Sequence, residues 1–175
     1  MLRATILTAL AATALAGCTT TTGTGAATAG RSATAPLRTA TGADVGTVTA
    51  TEMAGGVQIR IDARGMPVGV HGAHVHTTGR CDAPDFTTAG GHWNPTSKQH
   101  GTSNPAGPHA GDAPNLTIGA DGTGSVTIML PAGTIDGMLD ADGSAFVIHA
   151  NADDYKTDPS GNSGGRIACG VFAAA

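Results

Sequence analysis

Short runs in which apolar and polar residues alternate, separated by glycine-rich turns, restrict the fold of this chain more than any other feature. In the clearest run, VQIRID at residues 57–62, every second residue is apolar. An alternation of period two places the apolar side chains on one face of a β-strand. Helix signals are scarce, and the sequence is rich in glycine, with 27 glycines that help to separate the runs. The sequence therefore predicts an all-β fold, either a sandwich or a barrel.

Six other runs are typical of strands, and turn signals such as ADGTG and DADGS lie between some of them. They are GTVTAT at 46–51, HGAHVH at 71–76, NLTIGA at 115–120, GSVTIML at 124–130, AFVIHA at 145–150 and RIACGVF at 166–172. Two long segments, 77–112 and 150–165, do not fit this pattern. Segments of that length in a compact domain are usually functional loops, or else their secondary structure has been misassigned.

The first 17 residues predict an export signal. Arg3 precedes an apolar run that is too short to cross about 30 Å of hydrocarbon. Leu-Ala-Gly-Cys at 15–18 resembles a bacterial lipobox, so we expect a lipid on Cys18 and an anchored protein in the bacterial cell envelope or periplasm. Thr19, in place of the aspartate associated with inner-membrane retention, favours the outer membrane. An ordinary secretory signal followed by an incidental cysteine is the alternative.

Residues 18–34 predict a flexible stalk, because this segment is rich in Thr, Ala and Gly and has no apolar periodicity. Residues 35–175 predict one domain, and a domain of this size buries roughly 68% of its unfolded surface.

The formal net charge is −4, and no basic stripe is present in the sequence. The chain is therefore not expected to bind nucleic acid.

The chain has three cysteines. If Cys18 carries a lipid, Cys81 and Cys169 remain in an exported, oxidising compartment, where disulfides persist. A bridge between them would stabilise the fold by roughly 4–5 kcal/mol in the chain-entropy model. Two free thiols are the alternative that the residues alone leave open.

Histidines and one aspartate form the most unusual pattern in the sequence. His74 and His76 alternate on one predicted strand, so their side chains share a face. His149 lies on another predicted strand. The first long loop contributes a further group, namely His92, His100, His109 and Asp112. Neutral imidazoles and carboxylates are ligands that suit zinc and copper, so the pattern predicts a metal site.

Five motifs together resemble the bacterial, periplasmic-type copper,zinc superoxide dismutases. They are GVHGAHVH, AGGHWNPTSKQHG, PHAGDAPN, VIHANADDY and GNSGGRIACGV, in the family's order and spacing between about residues 45 and 173. The resemblance implies an eight-stranded Greek-key β-barrel, an immunoglobulin-like sandwich architecture, with two long loops over a site for two metals. It also implies dismutation of the superoxide anion to dioxygen and hydrogen peroxide, by a monomer or a homodimer.

The resemblance further implies one copper and one zinc ion per subunit, bridged by His92. The implied copper ligands are His74, His76, His92 and His149. The implied zinc ligands are His92, His100, His109 and Asp112. During turnover, His92 would take up a proton and pass it to the product.

Five other residues receive roles from the resemblance. Arg166 would bind the superoxide anion beside copper. Asp153 would hydrogen-bond one ligand of each metal, and His71 would bond to the backbone near the site without ligating. Cys81 and Cys169 would form the disulfide that anchors the zinc loop.

The chain departs from the family pattern at two places. Thr77-Thr78 stands where many relatives have a glutamate, and the second loop is short, with Lys156 as its one basic residue before Arg166. Lys156 can either steer the substrate or be an ordinary solvated lysine. A non-catalytic envelope domain that buffers or delivers copper or zinc is the alternative function. The presence of every implied ligand and of Arg166 favours the enzyme.

Overall fold

The computed structural model describes Met1 and residues 30–175, and this part of the chain is all-β, as predicted. The predicted export signal, the predicted lipidation site Cys18 and most of the predicted stalk lie outside the described residues. The elements in chain order are β1 (Ser32–Arg38), β2 (Asp44–Met53), β3 (Gly56–Ala63), β4 (Gly69–His71), β5 (Ala73–His76), a 3₁₀-helix (Thr87–Ala89), β6 (Leu116–Ile118), β7 (Gly124–Leu130), α1 (Ile135–Met138), β8 (Ala145–His149), β9 (Arg166–Val171) and β10 (Ala173–Ala174). No helix among these residues is long and apolar enough to cross a membrane.

The strands form one large antiparallel sheet, which curls into a half-barrel. Its order is β5-β8-β9-β1-β2-β3-β7, with β10 added to β1, so neighbours in space are often distant in sequence. A second sheet pairs β4 with β6. The predicted fold class, an eight-stranded antiparallel β structure with two long loops, is confirmed.

The predicted strand HGAHVH is divided at Gly72 into two strands with different partners. β4 pairs with β6, whereas β5 pairs with β8. At the break, the Gly72 N–H donates to Asn151 O, and the Gly72 carbonyl accepts from the His149 N–H, both at 2.8 Å. A Cβ at residue 72 would lie 2.5 Å from the Ser163 hydroxyl oxygen, so this close approach requires glycine.

The hydrophobic core lies inside the half-barrel, and the histidines of β5 lie outside it. Ala73 and Val75 belong to the main core, so the alternation along β5 turns His74 and His76 to the opposite face. On β8, Phe146 and Ile148 enter the same core. Ala145 and Val147 face outward and belong to a smaller apolar cluster with Phe86, Ala89 and Cys169. The first long loop packs on this outer face.

The N-terminal boundary of the domain differs from the prediction. β1 begins at Ser32, three residues before the predicted start at residue 35, so residues 32–34 belong to the sheet and not to a stalk. Ala33 and Ala35 are fully buried, and β1 pairs with both β2 and β10. The buried face of this strand consists mostly of small side chains. Its sequence therefore lacks the alternation of large apolar and polar residues that is typical of a strand.

Cys81 and Cys169 form a disulfide with a Cα–Cα distance of 5.7 Å. Cys169 lies on β9, and Cys81 lies near the start of the first long loop. The disulfide therefore fastens this loop to the barrel, as the resemblance implies.

Candidate metal centre

Three overlapping groups of buried ligand-type side chains lie on the outer face of the half-barrel, and two of them have four members each. The first group, here called the first cluster, is His74, His76, His92 and His149. The second cluster is His92, His100, His109 and Asp112. Within each cluster the ligand atoms lie within 4.8 Å of one another. His92 belongs to both, so the structure brings together all seven residues that the sequence assigned to metals.

Strand pairing builds most of the first cluster. β5 carries His74 and His76, and β8, which pairs with β5, ends at His149. A register shift between Ile148 and His149 interrupts the pairing of β8 with β9 at that end. His92 comes from the first long loop, which reaches β5 through a bridge between His76 and His92.

Each histidine of the first cluster has one buried ring nitrogen without a hydrogen-bond partner in the described part of the chain. These atoms are His74 Nδ1, His76 Nε2, His92 Nε2 and His149 Nε2. An unpaired buried polar atom usually costs about 1–3 kcal/mol, so four of them converging in one place require an explanation. A metal ion bound by the four nitrogens provides it, and the residues present therefore fit a metal.

The opposite nitrogens of three of these rings are fixed by hydrogen bonds. His74 Nε2 donates to Asp153 Oδ2 at 2.7 Å, His76 Nδ1 to Gly90 O at 2.9 Å and His149 Nδ1 to Gly164 O at 3.2 Å. Such partners select the tautomer and orient the ring. The unpartnered nitrogen of each ring is thereby left with its lone pair free.

Burial keeps the first cluster uncharged. Loss of hydration lowers the pKa of His92 to about 4 and that of His149 to about 3, and neighbouring histidines contribute to both shifts. Burial also lowers the pKa of His74 and places that of His76 well below its ordinary value. The four rings are therefore neutral at pH 7, which is the form that ligates metals.

Four donor-atom separations in the second cluster are close to the edge length of a tetrahedral zinc site. Asp112 Oδ1 lies 2.9 Å from His92 Nδ1, 3.1 Å from His100 Nδ1 and 3.2 Å from His109 Nδ1. His92 Nδ1 and His100 Nδ1 are 3.2 Å apart. Ligands about 2.0 Å from a central zinc ion would be separated by about 3.3 Å along each edge of a tetrahedron. The donor atoms thus fit zinc in number, type and spacing.

Backbone groups and charges organise the second cluster. Asp112 Oδ2 accepts hydrogen bonds from the backbone N–H groups of Gly101 at 2.8 Å and His109 at 3.0 Å. Burial opposes ionisation of Asp112, but bonds from His100, His92 and Gly101 outweigh it and hold its pKa far below the ordinary value. Burial also opposes protonation of His100, yet Asp112 and Asp153 raise its pKa to about 9.

Asp153 connects the two clusters, where the resemblance places it. Its Oδ2 accepts from His74 of the first cluster, and its Oδ1 accepts from His100 Nε2 of the second at 3.0 Å. The Tyr155 N–H also donates to Oδ1, at 2.6 Å. Asn115 fixes the backbone of Asp153, donating to its carbonyl and accepting from its N–H. Sequence reasoning gave Asn115 and Tyr155 no role, although both lie within the quoted motifs.

Replacing Asp153 with alanine should weaken metal binding at both clusters, because His74 in the first and His100 in the second each lose the hydrogen bond that orients the ring. Loss of an outer carboxylate partner typically lowers metal affinity about 10–100-fold. Titration of the metal-free variant with zinc and, separately, with copper against a competing chelator measures both effects. Wild-type affinity for both metals would show that Asp153 does not orient the ligands.

His71 belongs to neither cluster. Its Nδ1 lies 2.8 Å from His149 O, and its Nε2 lies 2.9 Å from Pro67 O. It therefore connects the segment before β4 with the end of β8. The structural role expected for His71 from the sequence stays a prediction.

Arg166 lies beside the first cluster in a cavity of about 380 Å³, whose other lining residues are His76, Gly91, His92, His109, His149, Pro159, Ser160 and Gly164. Its two terminal nitrogens donate to Phe86 O and Gly90 O, each at 2.6 Å. The sequence did not identify these carbonyls, because main-chain acceptors have no residue signature. Lys156 is exposed and does not line this cavity.

Comparison with known proteins identifies the family. The model for "Copper/zinc superoxide dismutase (SODC)" matches residues 45–172. The chain is 43% identical over 148 residues to the superoxide dismutase [Cu-Zn] of Caulobacter vibrioides, covering 81% of this chain and 85% of that protein. It is 50% identical over 123 residues to the superoxide dismutase-like protein YojM of Bacillus subtilis, covering 67% of this chain and 63% of the relative's length.

Solved structures agree with this result. A crystal structure of a SOD-like protein from Bacillus subtilis superposes with a TM-score of 0.76 at 44% identity, covering 80% of this chain and 97% of that one. The Cu/Zn superoxide dismutase from Brucella abortus superposes with a TM-score of 0.67 at 31% identity, covering 81% and 99%. With its two histidine clusters sharing His92, the chain belongs to the copper/zinc superoxide dismutase family.

Proposed function

We propose that this protein converts two superoxide anions and two protons into dioxygen and hydrogen peroxide. The observation that carries the proposal is the convergence of four neutral histidine nitrogens that lack partners among the described residues, next to a cavity that three of these histidines line together with Arg166. A redox-active metal ligated by these nitrogens would be reachable by a small anion. Among the described residues, Arg166 is the arginine whose guanidinium lines this cavity.

The donor sets assign one metal to each cluster. The second cluster offers three imidazoles and a carboxylate, with four donor-atom separations close to tetrahedral edges, a set that suits zinc. The first cluster offers four imidazoles, a set that suits copper. Copper, when bound, supplies the one-electron redox chemistry that zinc lacks.

Arg166 is placed to bind the substrate. The hydrogen bonds that Arg166 donates to Phe86 O and Gly90 O hold its planar guanidinium in one orientation at the cavity wall. A guanidinium stays charged at all ordinary pH values and binds anions through a rigid fork of N–H groups. The fixed charge therefore attracts superoxide and orients it beside the first cluster.

His92 is placed to carry a proton. Its Nδ1 lies in the second cluster, and its Nε2 lies in the first, without a hydrogen-bond partner among the described residues. When Nε2 is not ligating, it can hold a proton at the cavity wall and donate it to the departing peroxide. The second proton of hydrogen peroxide would then come from water.

Superoxide decay after pulse radiolysis tests the proposal on the protein loaded with one copper and one zinc per chain. We expect fast decay that is proportional to protein concentration. Decay equal to that of the zinc-only protein, despite full loading with copper, would contradict the proposal. It would support the second candidate function, a non-catalytic copper- and zinc-binding domain.

The second candidate arises because the Bacillus relative is named superoxide dismutase-like. One structure of a SOD-like protein from that organism is a double mutant in which a tyrosine and a proline were changed to histidine. In the present chain, the seven residues of both clusters and Arg166 are all in place. This completeness favours the enzyme over the buffering or delivery domain.

Reversing the charge of Arg166 should slow the reaction without removing the metals. In Arg166→Glu, the new carboxylate repels the superoxide anion. In other enzymes, loss of one hydrogen-bond donor that stabilises a developing negative charge lowers the rate about 10²–10³-fold. Superoxide decay and metal content are measured together, with Arg38→Glu as a charge-matched control that does not line this cavity. Equal decay rates for Arg166→Glu and wild type would show that the anion binds elsewhere.

We propose in addition that the protein is exported and held at the bacterial envelope by a lipid on Cys18, with the outer membrane favoured. The support is the apolar leader followed by Leu15-Ala16-Gly17-Cys18. Cys18→Ser should move the protein from the membrane fraction to the soluble fraction of cells that export the wild type. Membrane association that persists in this variant would contradict a lipid anchor at Cys18.

A further inference from the structure

Asp158, in the loop between β8 and β9, touches two residues of the second cluster without belonging to it. Its Oδ1 accepts a hydrogen bond of 2.6 Å from the backbone N–H of His100. The same oxygen lies 3.8 Å from Nε2 of His109, within ion-pair distance but longer than a hydrogen bond. One carboxylate oxygen therefore faces the main chain of one ligand and the ring of another.

The outer ring nitrogen of His109 sets this histidine apart. Four other histidines of the clusters have an acceptor within 3.2 Å of the nitrogen that faces away from the cluster, namely Asp153 for His74 and His100, Gly90 O for His76 and Gly164 O for His149. The Nδ1 atom of His109 faces Asp112, and its Nε2 faces Asp158. Ligating histidines usually direct their second N–H to a carboxylate or carbonyl. Asp158 is placed to be that partner.

The loop that carries Asp158 is held by contacts that do not use its carboxylate. Tyr155 O accepts from the Ser103 N–H, and the Tyr155 hydroxyl accepts from the Asn115 N–H, both at 2.8 Å. Asp158 itself is about half exposed, with 47% of its side chain accessible. Removing the carboxylate should therefore leave both loops docked and the protein folded.

We propose that Asp158 is a positioning residue for the zinc-binding cluster. It fixes the backbone of His100 and the ring of His109 in the orientation that places both Nδ1 atoms around Asp112. The inference rests on the zinc assignment made above. No first-cluster nitrogen contacts Asp158 among the described hydrogen bonds and ion pairs, so the effect is confined to zinc.

The test measures binding of zinc alone, and separately of copper alone, by the metal-free full chain in competition with a chelator. Asp158→Ala should lower zinc affinity about 10–100-fold and leave copper affinity unchanged. Asp158→Asn should recover part of the loss, because its amide oxygen still accepts the His100 N–H but its charge opposite His109 is gone. Asp142→Ala, an exposed turn aspartate away from both clusters, should bind like the wild type.

Equal zinc affinity for Asp158→Ala and Asp142→Ala would overturn the proposal. A parallel loss of zinc and copper affinity, with a lower unfolding temperature of the metal-free protein, would also overturn it, because Asp158 would then support the loops in general. The test measures metal affinity and not superoxide decay. Its result can therefore be interpreted even if the protein proves not to be a dismutase.

Discussion

His149→Ala is expected to abolish copper binding and to reduce superoxide decay to the level of the zinc-only protein, while zinc binding persists. The change removes one of the four nitrogens of the first cluster and none of the second. The barrel should remain folded, since the neighbouring core residues Phe146 and Ile148 face the other side of β8. The loss of one buried, hydrogen-bonded side chain is expected to cost about 1–3 kcal/mol of stability.

The matched variant is His109→Ala, which belongs only to the second cluster. It should lose zinc affinity and retain copper. Metal content after dialysis, measured for both variants by mass spectrometry, should therefore show opposite losses. Copper retained at full occupancy in His149→Ala would contradict the assignment of the first cluster.

Replacing both Cys81 and Cys169 with serine is expected to lower the free energy of unfolding by about 4–5 kcal/mol, because the bridge closes a long loop. The two cysteines are 88 positions apart. The double replacement avoids leaving one reactive thiol. Urea unfolding of the metal-free proteins, followed by circular dichroism, measures the difference.

The disulfide should also affect turnover. Cys169 packs with Phe86 and Ala89, and the carbonyls of Phe86 and Gly90 hold Arg166. Loosening this segment should slow superoxide decay in the double-serine variant even when both metals are bound. A change in unfolding free energy below about 0.5 kcal/mol, within the range of an ordinary surface substitution, would contradict a stabilising role for the bridge.

Sequence patterns predicted much of the site because they specify which face of a strand a side chain occupies. The alternation in AHVH places His74 and His76 together, and the structure shows both outside the barrel, opposite Ala73 and Val75. The same pattern did not reveal that the chain changes partners at Gly72. That break depends on hydrogen bonds to Asn151 and His149, which are distant in sequence.

β1 was missed for a related physical reason. Its buried face consists of small residues and Leu37, and its stability depends on pairing with β2 and β10. Local composition does not report such pairing, because the partner strands supply both the hydrogen bonds and the buried surface. For this reason the sequence predicts a stalk at residues 32–34, where the structure has the start of β1.

The sequence by itself determined the all-β class, the motifs of the family and the identity of the seven ligand-type residues, because these depend on residue type and short-range spacing. Only the tertiary structure decided which ring nitrogens face each cluster, which carbonyls hold Arg166 and that Asp158 reaches the second cluster. These features arise where the two long loops meet the barrel. Their contacts join main-chain atoms and side chains dozens of residues apart, and no local pattern encodes them.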